Sequence, residues 1–78
     1  SEWVDKIAGA PDLAALEALR VAALGKSGAV TARLKSLGAM DPETRAREAP
    51  AIHAEREAVT RAIAERKAAL EAAELERR

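Results

Sequence analysis

Lys26 lies within Leu24-Gly25-Lys26-Ser27-Gly28, a single ammonium group among residues small enough to let a main chain come close. That grouping suits contact with a phosphate, which a positive side chain and an unobstructed backbone can meet together. The surrounding charge is one-sided. Between Glu17 and Asp41 stand Arg20, Lys26, Arg33 and Lys35, and no acidic residue. Arg45 and Arg47 come next, opposed by Asp41 and Glu43, so residues 18–47 carry a net four positive charges in a chain with 13 basic and 13 acidic residues. A polyanionic backbone is the ligand this distribution fits best. The plain alternative is a solvated face whose long Arg stems cover apolar seams.

Other chemistries fit less well. Gly25-Lys26-Ser27 resembles the end of a nucleotide-binding P-loop, but that motif needs glycine five positions before Gly25, where Arg20 stands. His53 has no cysteine or second histidine to share a metal with, and it reads as a helix-surface residue. The glutamates at 55, 57, 65, 71, 74 and 76 are interleaved with arginines and look like solubilising pairs, not a general acid and base. No residue is assigned a catalytic, cofactor-binding or metal-binding role. Trp3 is the only aromatic residue, so there is no platform for stacking bases, and recognition is expected to be of phosphate and backbone shape.

The elements that must position these residues are helices. The fold class expected is all-α, a short N-terminal helix followed by an antiparallel two-helix coiled-coil hairpin, with helices at about 2–9, 12–37 and 42–77. Pro11-Asp12 separates the first two, because proline disfavours helical geometry before it and Asp12 can cap the helix after it. At the second boundary Gly38 can end a helix in the left-handed conformation, Asp41 is a good N-cap, Pro42 fits the first helical position and Glu43 opposes the helix dipole. Leu16, Leu19, Ala23, Ser27, Val30, Leu34 and Leu37 step by three and four straight through Gly25 and Gly28, so the phase predicts one continuous, locally weak helix over 12–37, with two glycines costing about 0.8–1.0 kcal/mol each and a kink near 25–28 as the alternative. From Pro42 onward Ala49, Ile52, Arg56, Val59, Ile63, Arg66, Leu70 and Ala73 form the matching stripe, and Pro50 predicts a bend near 46–50. Glu57 with Arg61 and Glu74 with Arg78 are expected to pair on the outer face. Folded back about the turn, the stripes face each other with residue numbers summing to about 82 or 83. Leu37 then faces Arg45, Leu34 faces Ala49, Val30 faces Ile52, Ala23 faces Val59, Leu19 faces Ile63 and Leu13 faces Leu70. Ser27 and Arg56 meet in a polar layer, and Trp3 and Ile7 cover the open end beside Leu70 and Ala73.

With 78 residues, of which 49% are hydrophobic and most of those alanine, the chain forms one domain with a thin seam as its core. It has no room for a catalytic domain, and its end at Glu76-Arg77-Arg78 without a helix-stop signal reads as a piece of a longer protein. Absence of cysteine fits a cytoplasmic protein, and no apolar run approaches the length of a membrane span.

Leu19-Arg20-Val21, Leu24-Gly25-Lys26-Ser27-Gly28, Leu34-Lys35-Ser36-Leu37, Pro42-Glu43-Thr44-Arg45 and Arg66-Lys67-x-x-Leu70-Glu71 together resemble the N-terminal coiled-coil domain of the bacterial phenylalanyl-tRNA synthetase alpha subunit. The resemblance covers nearly the whole chain. It implies an arm that holds tRNA(Phe) in a two-fold alpha-beta assembly, with the beta subunit and the catalytic domain of the alpha subunit as partners. ATP and magnesium are implied for the parent enzyme alone, and none for this region. Where that family shows Gly, Asn and Lys, this chain has Ala49, His53 and Arg56, the last keeping its charge. Charge pattern and resemblance together give Arg20, Lys26, Arg33, Lys35, Arg45, Arg47 and Arg56 as the tRNA-binding set. The competing function class is a structural coiled coil that holds protein partners or a second copy of itself.

Overall fold

The computed structural model describes residues 1–77 and is all-α among them, as the periodicity predicts. Four α-helices come in order: α1 Glu2–Ala8, α2 Leu13–Leu24, α3 Ala29–Ser36 and α4 Pro42–Glu76, with a turn of 3-10 helix at Leu37–Ala39. α2 and α3 together form one arm of a hairpin, α4 is the other, and α1 folds back against α4 at the open end. The molecule is a rod of 54 × 19 × 15 Å.

The helix starts obey local chemistry. The Asp12 carboxylate accepts from the Ala15 N–H at 2.8 Å, and the Ser1 hydroxyl accepts from the Val4 N–H at 3.5 Å. Asp41 occupies the N-cap of α4 with Pro42 directly after it, but its side chain makes no capping bond. α4 runs unbroken through Pro50, which is exposed together with Ala46, so water can serve the Ala46 carbonyl that loses its helical partner.

The core is a single seam. Ile7, Ala23, Val30 and Val59 are fully buried, with Ala10 and Leu16 beside them and Leu34, Ile63 and Leu70 partly covered against the cluster. The expected register holds at both ends. Arg45 Nε donates to the Leu37 carbonyl at 2.8 Å near the turn, while Leu13 and Leu70 share one depression at the base. Ile7 joins the core and Trp3 packs against it, so α1 does close the open end of the hairpin.

Four expectations fail. The 12–37 helix is not continuous: it stops at Leu24 and resumes at Ala29. Gly25 and Gly28 prevail over the phase because the intervening backbone doubles back on the end of α2, with the Gly28 N–H donating to the Gly25 carbonyl at 2.9 Å. The stripe nonetheless keeps its heptad step across the break, since Ala23 and Val30 are both 0% exposed. The polar layer of Ser27 and Arg56 does not form: both are exposed, and no polar or charged side chain is buried among the described residues. The break swings Ser27 off the seam and buries Gly28 instead. Gly38 does not adopt the left-handed conformation, because no described residue has a positive φ, and the 3-10 turn ends the arm. Finally, Glu57 makes no ion pair with Arg61 among the described residues; the other expected pair, Glu74 with Arg78, lies outside them, and Glu74 meets Arg77.

Candidate nucleic-acid interface

The seven predicted cations fall into three groups. Arg20, Arg33 and Arg47 each meet a carboxylate. Arg20 grips Glu17 through Nε at 2.7 Å and a second nitrogen at 2.6 Å. That hydrogen bond holds the Glu17 carboxyl below its ordinary value of 4.5, outweighing an opposing desolvation, and the charges of Arg20 and Lys67 add to it. Arg33 bonds Glu55 at 2.5 Å, tying α3 to α4, and Arg47 reaches Glu43 at 3.3 Å along its own helix. The Arg20 and Arg47 pairs are largely exposed, whereas Glu55 in the Arg33 pair is partly buried between α3 and α4. Exposed ion pairs of this kind are weak, so a phosphate can displace the carboxylate.

Arg45 has a different task. Its Nε and one terminal nitrogen donate to the carbonyls of Leu37 and Met40, both at 2.8 Å, and so cap the chain where the 3-10 turn leaves it without helical partners. At the other end Arg66 Nε donates to the Ala10 carbonyl at 2.9 Å and fastens the α1–α2 turn onto α4. The hairpin is therefore closed at each end by an arginine of α4. The heptad spacing places Arg66 on the apolar stripe without revealing this role. An arginine on an otherwise apolar stripe, opposite a chain reversal, is the signal that points to it.

Lys26, Lys35 and Arg56 form the third group. All three are exposed, and none has a carboxylate within ion-pairing distance among the described residues. Lys35 Nζ reaches back along α3 and donates to the Lys26 carbonyl at 3.2 Å. The Lys35 ammonium thus sits at the break beside Lys26. By the register, Arg56 lies on α4 at the same level. Glu55 escaped the sequence reading as a partner for Arg33, because the two belong to different helices and sit 22 positions apart.

The loop at 25–28 lacks the strand and the earlier glycine of a P-loop, and no group of three or more His, Asp or Glu side chains converges among the described residues. No helix there is long and apolar enough to cross a membrane.

Fold and surface define a class first: an antiparallel helical hairpin that carries exposed cations along one arm. The chain belongs to the family described as the aminoacyl tRNA synthetase class II, N-terminal domain, whose pattern matches residues 11–78. It is similar to the phenylalanine–tRNA ligase alpha subunit of Rhizorhabdus wittichii, 63% identical over 75 residues, covering 96% of this chain and 21% of that protein. The same subunit of Novosphingobium aromaticivorans is 60% identical over 78 residues, covering 100% of this chain and 21% of the relative. That of Phenylobacterium zucineum is 56% identical over 75 residues, covering 96% and 20%. The chain thus spans about a fifth of the length of these relatives. No solved structure matches it.

Proposed function

We propose that the chain is the tRNA-binding arm of a cytoplasmic phenylalanine–tRNA ligase alpha subunit. It positions tRNA(Phe) for ATP- and magnesium-dependent aminoacylation by a catalytic domain elsewhere in the enzyme, in an assembly with a beta subunit. The observation that carries this reading is the acid-free stretch of α2 and α3. There Lys26 and Lys35 come together with no carboxylate partner among the described residues, in a chain whose relatives act, by name, as phenylalanine–tRNA ligases. Binding runs through phosphate contacts, because no aromatic side chain lies on that arm to stack a base.

The test is tRNA affinity of the full-length enzyme across a salt series. Wild type should lose affinity steeply with salt, and reversing Lys26, Arg33 and Lys35 to Glu should weaken binding and flatten the dependence, by about 0.7–0.9 in slope for each phosphate no longer neutralised. Unchanged binding after the reversal, or binding insensitive to salt, rejects the proposal. A second reading, a protein-docking hairpin, draws on Leu13 and Leu75, exposed at 44% and 66% at the base. Sedimentation across concentrations separates the two: a salt-resistant dimer that hides Arg20 to Lys35 favours docking, a monomer with that face open favours RNA.

A further inference from the structure

Successive residues of an α-helix are rotated by about 100°, so side chains nine positions apart project about 180° from one another and start about 13 Å apart along the axis. Lys26 and Lys35 are nine positions apart, and an unbroken 13–36 rod would aim them in opposite directions. In the structure the Lys35 ammonium instead donates to the Lys26 carbonyl at 3.2 Å. The break between α2 and α3 makes the difference.

Two glycines hold that break in place by close approach, not by unusual dihedral angles. A Cβ on Gly28 would lie 2.5 Å from the Ala23 carbonyl oxygen and 2.6 Å from its carbon, and a Cβ on Gly25 would lie 2.5 Å from the Val21 carbonyl oxygen. Those neighbours are backbone and cannot swing aside. The core does not need the break, because Ala23 and Val30 keep the spacing a continuous helix would give and both are fully buried. Interrupting the helix forfeits backbone hydrogen bonds and buries only Gly28, which has no side chain, in place of Ser27, so its benefit lies on the surface.

We infer that Gly25 and Gly28 are positioning residues for RNA: they replace a turn of helix with a corner at which Lys26 and the Lys35 ammonium face one short stretch of phosphodiester backbone. This rests on the RNA-binding reading above. Glycine at these two positions sets where the cations stand, and the neighbouring acids, Glu17 and Glu55, are already engaged by Arg20 and Arg33.

The experiment uses the full-length enzyme and a phenylalanine tRNA transcript. Gly28→Ala should lower affinity several-fold and reduce the salt slope by about 0.7–0.9, the equivalent of one phosphate. In combination with Lys26→Ala it should lose little more than the worse single variant, since Gly28 acts through that lysine. Additive losses in the cycle, or wild-type binding by Gly28→Ala, overturn the inference. If thermal melting shows that Gly28→Ala does not fold, cleavage reagents tethered at Lys26→Cys and Lys35→Cys decide. Cuts in the same short stretch of tRNA support the corner, and cuts in separate stretches overturn it. Lys26→Glu/Lys35→Glu distinguishes the levels: no effect removes the RNA reading itself, whereas a clear loss beside a silent Gly28→Ala removes only the positioning role.

Discussion

Arg45 donates to the carbonyls of Leu37 and Met40 and thereby completes the chain reversal. Charge-assisted bonds of this kind contribute about 1.5–3 kcal/mol when shielded, and less at a partly exposed site. Arg45→Ala should therefore destabilise the hairpin by about 1–2 kcal/mol in thermal unfolding, with little dependence on salt. A loss that disappears in high salt would mean the side chain acts as a free charge. Glu17 shows the opposite use of an arginine. Its folded pKa is lowered by the Arg20 hydrogen bond, so the pair's contribution is complete above pH 4.5 and fades as pH falls through the lower, folded value. A carboxyl-carbon NMR titration should find Glu17 protonating below the ordinary glutamate value of 4.5, and protonation at or above that value would mean that the Arg20 bond does not persist in solution. Glu17→Gln should release Arg20 and steepen the salt dependence of tRNA binding.

At the scale of elements, α4 carries the hairpin. It alone runs the length of the rod, and α1, α2 and α3 each pack on it. Pro50 removes one N–H from it, yet the freed carbonyl belongs to the exposed Ala46, so the helix survives with a local cost. Pro50→Ala should restore the bond and stabilise the domain by about 1 kcal/mol or more, a rise in melting temperature of at least about 4 °C. An unchanged or lowered melting point would show that the proline ring contributes contacts of its own. The hairpin, the place of its turn at 38–41 and the apolar seam were legible in the sequence, because they depend on apolar spacing and on Pro42 at a helix start, whereas the geometries expected of Gly38 and Asp41 and the polar layer of Ser27 and Arg56 do not form. The break at 25–28 was not legible, although its glycines were in view. Phase reports only where side chains point, and a four-residue detour that restores the heptad step leaves the stripe unchanged. The contacts at Gly25 and Gly28 are backbone against backbone, which no pattern of side chains records. Pairing was equally hidden: Arg33 with Glu55 requires two helices at a known rotation, and Glu17, the partner of Arg20, stands one step outside the acid-free window.

The whole rod narrows the binding geometry. Six basic side chains lie between residues 24 and 58, the half nearer the turn, but five acidic ones do as well, three of them, Glu48, Glu55 and Glu57, on α4 beyond its first turn. The distal half as a unit is nearly neutral. What is positive is one arm: α2 and α3 beyond Glu17, with the loop between them, carry four cations and no acid. Screening limits exposed charges to a reach of about 8–10 Å near physiological salt, and the rod is 19 × 15 Å across, so a polyanion on the α2–α3 side is largely shielded from the acids on the far side of α4. An RNA should therefore lie along that arm and not cap the turn. Arg47, on the first turns of α4 and paired with Glu43, then belongs to the periphery. Lys26→Glu/Lys35→Glu should lower tRNA affinity about tenfold or more near 0.1 M salt, while Arg47→Glu changes it by less than about threefold. Equal losses from both would place the RNA across the turn, and a larger loss from Arg47→Glu would mean that the α2–α3 arm is not the binding side.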